Sequence, residues 1–315
     1  MTRTARRHQS GAALLTAMVI VTIVTTLAAA MVWQQWRAVQ VETAERSRMQ
    51  SAWILSGALD WARLILREDA KSRRPTALTE PWATPLAETR ISTFLALDKD
   101  NTDAGPEAFL SGSITDAQAR FNLFNLVEGD KVSPPDLAVL TRLCDALGVA
   151  SDVPARLAAT LRDVLAPAKD GGGNAPLTPQ FASQLEWLGL DADTVNRLAP
   201  HVVLLPRRTP VNLNTASREV IAAAVEGLDP GGADRLVQTR QRKPFLALAD
   251  AQAVLARVVL IPRQVDVLPS RFFEVQGRLR LDDRVLQERS LVEREDRGEM
   301  KVLQRERSSL NDAGN

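Results

Sequence analysis

Gly11-Ala-Ala-Leu-Leu-Thr16-Ala-Met-Val-Ile-Val-Thr-Ile-Val-Thr-Thr-Leu-Ala-Ala-Ala-Met-Val32 decides the fold. From Ala12 to Val32 no side chain is charged, and Arg3, Arg6 and Arg7 stand just ahead of the run. A helix rises about 1.5 Å per residue, so roughly 20 apolar residues cross the ~30 Å hydrocarbon core of a bilayer. The run is long enough to span. It is too long for an ordinary secretory signal, whose apolar region is roughly 7–15 residues followed by a small-x-small cut site. Trp33 and Trp36 come next, and both suit a membrane–water interface. With the basic residues before the span, the positive-inside rule puts residues 1–10 in the cytoplasm and the chain after Trp36 outside.

The helix does not stop at the membrane. No proline occurs between Ala12 and Pro75, and Gly57 is the only glycine in that interval. Val41, Met49, Ala52, Leu55, Leu59, Ala62 and Leu66 recur every three or four residues, while Glu42, Glu45, Arg46 and Arg48 cover the other side. That is one buried stripe. A spanning helix that becomes amphipathic outside the bilayer has to pack on a folded domain.

Beyond it the pattern changes twice. Lys71 to Glu88 contains three prolines and reads as a loop. Ile91–Leu95 and Phe109–Ile114 read as short paired strands, and Arg120–Leu126 alternates in part. Residues 134–261 read as helical throughout, opening at Pro134-Pro135 and interrupted by the Gly/Pro-rich stretch Lys169–Pro179. Its run Gly171-Gly172-Gly173 is followed by no Lys-Ser or Lys-Thr, so it is no phosphate cradle. From Phe272 to Arg305 three alternating stretches are separated by Asp282-Asp283 and Asp296-Arg297-Gly298, which is an antiparallel meander. Strands before and after one helical block most simply complete one sheet, covered by the N-terminal helix.

Composition narrows the chemistry. The 315 residues carry 39 basic and 38 acidic side chains, so no global field favours nucleic acid or a membrane surface. Cys144 is the only cysteine, which forbids an intrachain disulfide and a cysteine zinc site. It reads as a small buried apolar residue. His8 and His201 are the only histidines. No Ser/His/Asp set, metal spacing or nucleotide loop is present, and the chain reads as a non-enzyme.

The layout resembles type IV pilin-like proteins, and more narrowly the GspK family of minor pseudopilins of the type II (general) secretion pathway. Gly11-Ala12-Ala13-Leu14-Leu15-Thr16 resembles a class III prepilin leader junction. Ala119-Arg-Phe-Asn122-Leu123 and Leu204-Leu-Pro-Arg-Arg-Thr-Pro-Val-Asn212-Leu-Asn214-Thr215-Ala216 resemble two recurrent stretches of the family, and the strands from Phe272 its C-terminal sheet. The resemblance implies an α+β fold. In it a long helix packs on an antiparallel sheet and a large all-α insertion is SAM-like, or helix-hairpin-helix-like. The implied division is a leader at 1–11, a helix at 12–70 (12–36 transmembrane), pilin-like segments at 71–133 and 263–307, the insertion at 134–262 and a disordered tail at 308–315.

The resemblance also implies a life history. A prepilin peptidase would cleave between Gly11 and Ala12, and the apolar helix would be kept. The chain would then sit in the inner membrane with its body in the periplasm. It would meet other minor pseudopilins and inner-membrane platform proteins. Val41, Met49, Trp53, Leu55 and Leu59 are the candidates for helix packing and partner contact. Most pilin-like subunits carry glutamate at the fifth mature position, where a carboxylate in the membrane is tolerated only if paired. Here that position is Thr16. A subunit without the acid offers nothing ionic to a subunit above it, which suits a filament tip.

Two alternatives remain at this level. Related proteins often carry an acidic cluster where Asp163 stands nearly alone; Asp98, Asp100 and Asp103 form a better oxygen-rich loop for calcium. An acidic turn without metal, and no cofactor, is the simpler expectation, because the EF-hand glycine and terminal glutamate are missing. Val211–Ile221 followed by Gly227-Leu-Asp-Pro-Gly-Gly-Ala233 also resembles the helix-hairpin-helix of competence-type DNA receptors. Asp229 replaces the second hairpin glycine and sets a carboxylate where a phosphate would lie, so no nucleic acid is expected.

Overall fold

The computed structural model describes residues 10–91, 108–165, 177–255, 258–281 and 284–311. The chain divides into two units, Met1–Ile54 and Leu55–Asn315. Helix α1 (Ser10–Ala70) supplies the described part of the first and the spine of the second. In the body, β1 (Leu86–Arg90) and β2 (Ala108–Asp116) are followed by the short strands β3 (Phe121–Asn122), β4 (Val127–Glu128) and β5 (Lys131–Val132). The insertion contains α2 (Pro134–Ala146), α3 (Val153–Leu165), α4 (Ala192–Leu198), β6 (Val202–Val203), β7 (Val211–Asn212), α5 (Arg218–Ala224), α6 (Pro230–Arg242) and α7 (Leu248–Gln252). After β8 (Val265–Asp266) come the long strands β9 (Phe272–Leu281), β10 (Arg284–Arg294) and β11 (Met300–Asn311).

One five-stranded antiparallel sheet, in the order β1-β2-β9-β10-β11, joins the two strand groups that the insertion separates in sequence. Its alternation assigns the two faces. Phe273, Val275, Val292 and Met300 pack with Leu59, Ala62, Leu66 and Trp82 against α1. Phe272 and Leu291 face the other way, onto Ala117, Val203 and Leu205 of the insertion side. The insertion has its own core, where Leu140, Leu143, Leu157, Leu161, Leu198 and Leu236 are all buried.

The helix sits close to the sheet because two glycines oppose each other beneath it. Gly112 on β2 is in register with Gly277 on β9. A Cβ on Gly112 would stand 2.7 Å from the Gln276 carbonyl oxygen, and one on Gly277 would stand 3.1 Å from Leu55 Cδ2. Side chains there would lift α1 or split the strands. Polar groups then fix the helix in place. Arg63 donates from Nε and Nη2 to the Met300 carbonyl at 2.9 and 2.6 Å, and Arg294 donates to Asp69 at 2.6 Å.

Several boundaries differ from those the sequence suggests. The strand paired with β2 is Leu86–Arg90 rather than 91–95, and most of 91–95 lies outside the described residues. Flanking prolines at 81 and 85 make this segment resemble a loop, and only its distant partner makes it a strand. Arg120–Leu126 is a two-residue strand followed by a 3-10 turn. The helical block is not helical throughout. Phe121 pairs in parallel with Val202, and Val211 with Val265; such pairings join residues too far apart in sequence to leave a local pattern. Residues 308–311 belong to a strand rather than a tail, because β11 stays paired with β10 as far as Asn311, and 312–315 lie outside the described residues.

Candidate assembly interface

In the first unit the apolar run is exposed along its described length. Leu14, Ile20, Leu27 and Val32 are all exposed, as are Trp33 and Trp36, whose tilted rings lie 5.3 Å apart between centroids. The helix that contains them is long and apolar enough to cross a membrane. Its threonines keep their hydroxyls within the helix. Thr16 donates to the Ala12 carbonyl at 2.8 Å, Thr22 to Met18 at 2.7 Å and Thr25 to Val21 at 2.8 Å. In hydrocarbon an unpaired hydroxyl is costly, so this back-bonding lets them lie in lipid without a partner. Thr16 therefore presents no charge and engages its only donor internally. Gly11 and Ala12 lie within the first turns of α1.

The contact candidates on α1 separate into two groups. Val41 and Met49 are each 57 % exposed and Trp53 is 77 % exposed. Leu55 and Leu59 are instead 2 % and 3 % exposed and belong to the body. With Ala62 and Leu66 they form the stripe against the sheet, so they are not available to a partner. Asp98, Asp100 and Asp103 fall outside the described residues. Among the described residues no three His, Cys, Asp or Glu side chains converge as a metal site would require. Cys144 is fully buried, and burial pushes its thiol up to about 12, which leaves it unreactive.

The two recurrent stretches meet in space. Asn122 donates to the Arg207 carbonyl and accepts from the Leu205 N–H at 3.1 Å. Asn125 donates to the Thr209 carbonyl at 2.8 Å and accepts from the Thr209 N–H at 3.1 Å, so one amide side chain does the work of a neighbouring strand. Asn214 repeats the device on Phe245, at 3.0 and 2.9 Å. These loops cannot pair by strand geometry, and asparagine matches backbone donor to acceptor at both ends. Arg208 closes the region by an ion pair to buried Asp136 at 2.5 Å.

A buried node that sequence reading missed lies between sheet and insertion. Asp116, at the end of β2, accepts from Thr215 at 2.6 Å, Ser270 at 2.7 Å, Asn212 at 2.8 Å and the Gln118 N–H at 2.8 Å. Burial pushes its carboxyl above the usual carboxylate range, and these hydrogen bonds only partly offset that. Asn212 also donates to the Thr76 carbonyl just after α1. Three segments of the body thus meet at one carboxylate, and a fourth, at Thr76, joins them through Asn212. The helical hairpin is closed in another way. Asp229 accepts from the Gly232 N–H at 2.8 Å and caps α6, so a carboxylate occupies the helix start that a phosphate would need.

Family models described as "Type II secretion system (T2SS), protein K" match residues 119–207 and 211–260. Over 326 aligned residues, covering 96 % of this chain and 93 % of the relative, the chain is 30 % identical to the Type II secretion system protein K of Pseudomonas aeruginosa. The chain belongs to the type II secretion system protein K family. A second protein K, from Klebsiella pneumoniae, is 31 % identical over 74 % of this chain and 74 % of its own length. A third, from Pectobacterium carotovorum, is 26 % identical over 91 % of this chain and 93 % of its own. A chain in the crystal structure of the GspK-GspI-GspJ complex of the enterotoxigenic Escherichia coli Type 2 Secretion System superposes with a TM-score of 0.65. It covers 84 % of this chain and 98 % of that one, and at 21 % identity the likeness is one of fold. The protein K assignment makes this chain a minor pseudopilin of type II secretion, and the family is structural rather than enzymatic.

Proposed function

We propose that this chain caps the tip of the type II secretion pseudopilus and starts its assembly with other minor pseudopilins. A prepilin peptidase removes residues 1–11 and leaves Ala12 as the mature start. The helix over 12–36 holds the subunit in the inner membrane, with the body in the periplasm, until the secretion platform draws it into the filament. The partners are minor pseudopilins, met through the exposed helix at Val41, Met49 and Trp53. That the E. coli fold neighbour was solved as a GspK-GspI-GspJ complex supports this reading.

One observation carries the tip placement. Thr16 stands where a pilin-like subunit carries its glutamate, and its hydroxyl is engaged by Ala12 at 2.8 Å. A neighbour above would find no anion for its N-terminal amine, whereas this chain's own amine remains available to a glutamate below. Epitope labelling of pseudopili assembled in cells tests it. Label confined to one filament end is the expected result; label along the shaft contradicts tip capping.

A further inference from the structure

We infer that the cleft between the end of β2 and the helical insertion binds an extended segment of another polypeptide, which pairs with the β2 backbone and sets a carboxylate on Arg120 and Arg289. The site goes beyond the pseudopilin reading and does not depend on it. The cleft lies wholly within the body and has a volume of about 600 Å³, inside the ~300–1,000 Å³ range of ligand clefts. Its first feature is an unfinished strand edge. β1 pairs with β2 from Arg90 opposite Phe109 to Leu86 opposite Gly112. Pro85 stands just ahead of Leu86 and has no N–H to continue the ladder. From Ser113 to Asp116, β2 therefore has a strand neighbour only on the β9 side. Ile114 and Thr115 of this stretch line the cleft, together with Trp82. An incoming strand can pair with such an edge, whereas a helix, whose backbone groups are already bonded internally, cannot.

The second feature is a pair of guanidinium groups with donors to spare. Arg120 donates from Nη2 to Glu274 Oε2 at 2.7 Å. Arg289 Nε stands 3.4 Å from the other oxygen of that carboxylate, and Arg289 donates no hydrogen bond to a described residue. Glu306 opposes Arg289 in register on β11 but makes no ion pair with it. Asp116 also borders the cleft, yet its oxygens already accept from Thr215, Ser270, Asn212 and the Gln118 N–H. Two guanidinium groups thus share one carboxylate, and a second carboxylate fits their remaining donors. Ser183 and Pro200 form the insertion's wall of the cleft, and both are exposed. The strand edge selects an extended backbone and the arginines select an acid, so the occupant is an extended segment with one acidic side chain.

The probe is a peptide selected from a random phage-displayed library on the full-length chain, immobilised in detergent; fluorescence anisotropy then measures its binding. The selected sequences are expected to share one acidic residue set among strand-forming residues. Ser183→Trp fills the cleft from an exposed position, and is expected to keep the wild-type Tm and to abolish binding. Arg289→Gln is expected to weaken the selected peptide by about tenfold and to leave its counterpart with glutamine in place of the acid nearly unchanged. If selection gives no acidic consensus, or if folded Ser183→Trp binds like wild type, the site is overturned. If Arg289→Gln affects both peptides alike, the carboxylate recognition is refuted. None of these outcomes touches the pseudopilin reading.

Discussion

Asn212 donates its side-chain amide to Asp116 Oδ2 at 2.8 Å, across 96 residues of sequence. The contact binds the insertion to the end of a sheet strand; Thr215 adds to it from the same stretch and Ser270 from a further segment. A fully buried carboxylate with only neutral donors gives the junction a pH dependence of known sign. Burial raises the folded-state pKa of Asp116 above its ordinary value of 3.8. The folded state thus binds the proton more tightly, and the associated stability is complete below the unfolded value and is lost as pH rises through the folded one. Urea unfolding of wild type and Asp116→Asn between acid and neutral pH is therefore expected to show wild type losing ground to the variant as pH rises. A constant difference contradicts this.

The asparagine clasps predict a second effect. Removing Asn125 leaves the Thr209 N–H and carbonyl without partners in a buried setting. An unsatisfied buried group costs about 1–3 kcal/mol. Asn125→Ala and Asn214→Ala are each expected to lower body stability within that range, by chemical denaturation. Glu42→Ala, which breaks the ion pair with Arg46 on an exposed helix face, is expected to change it by less than about 0.5 kcal/mol.

Helix α1 predicts a contrast between its two halves. Leu59 is buried against the sheet, so Leu59→Ala is expected to destabilise the body by about 2–5 kcal/mol. Met49 is exposed, so Met49→Ala is expected to leave monomer unfolding within about 0.5 kcal/mol of wild type while reducing recovery of partner pseudopilins.

Thr16→Glu addresses tip placement directly. The substituted chain is expected to fold and insert, because the side chain at position 16 is exposed. It is also expected to lose strict confinement to the filament end, read by labelling. Unchanged filament initiation, length and label position would count against the role assigned to Thr16.

The parts of this fold that were legible in sequence are those with local signals. The uncharged run from Ala12, the three-to-four-residue spacing from Leu55 to Leu66 and the alternation after Phe272 each declare one element. What the sequence hid depends on distant partners. Leu86–Arg90 is a strand because it lies beside Leu110 and Gly112, not because of its own composition. The node at Asp116 gathers residues 96 to 154 positions away, and no spacing rule connects them. Asn122, Asn212 and Asn214 stood out as parts of recurrent stretches, but only the structure shows that they bind loop backbone. The split among the contact candidates was half legible: the spacing marked the stripe, and the sheet decided which members it covers.

On this reading the apolar helix is trimmed at its cytoplasmic edge and then retained. N-terminal sequencing of the protein extracted from membranes tests it most directly. A mature chain beginning at Ala12 is expected, with Gly11→Ala leaving the leader attached and assembly abolished. A native chain beginning at Met1, or one cut beyond Trp36 and released from the membrane, would contradict it.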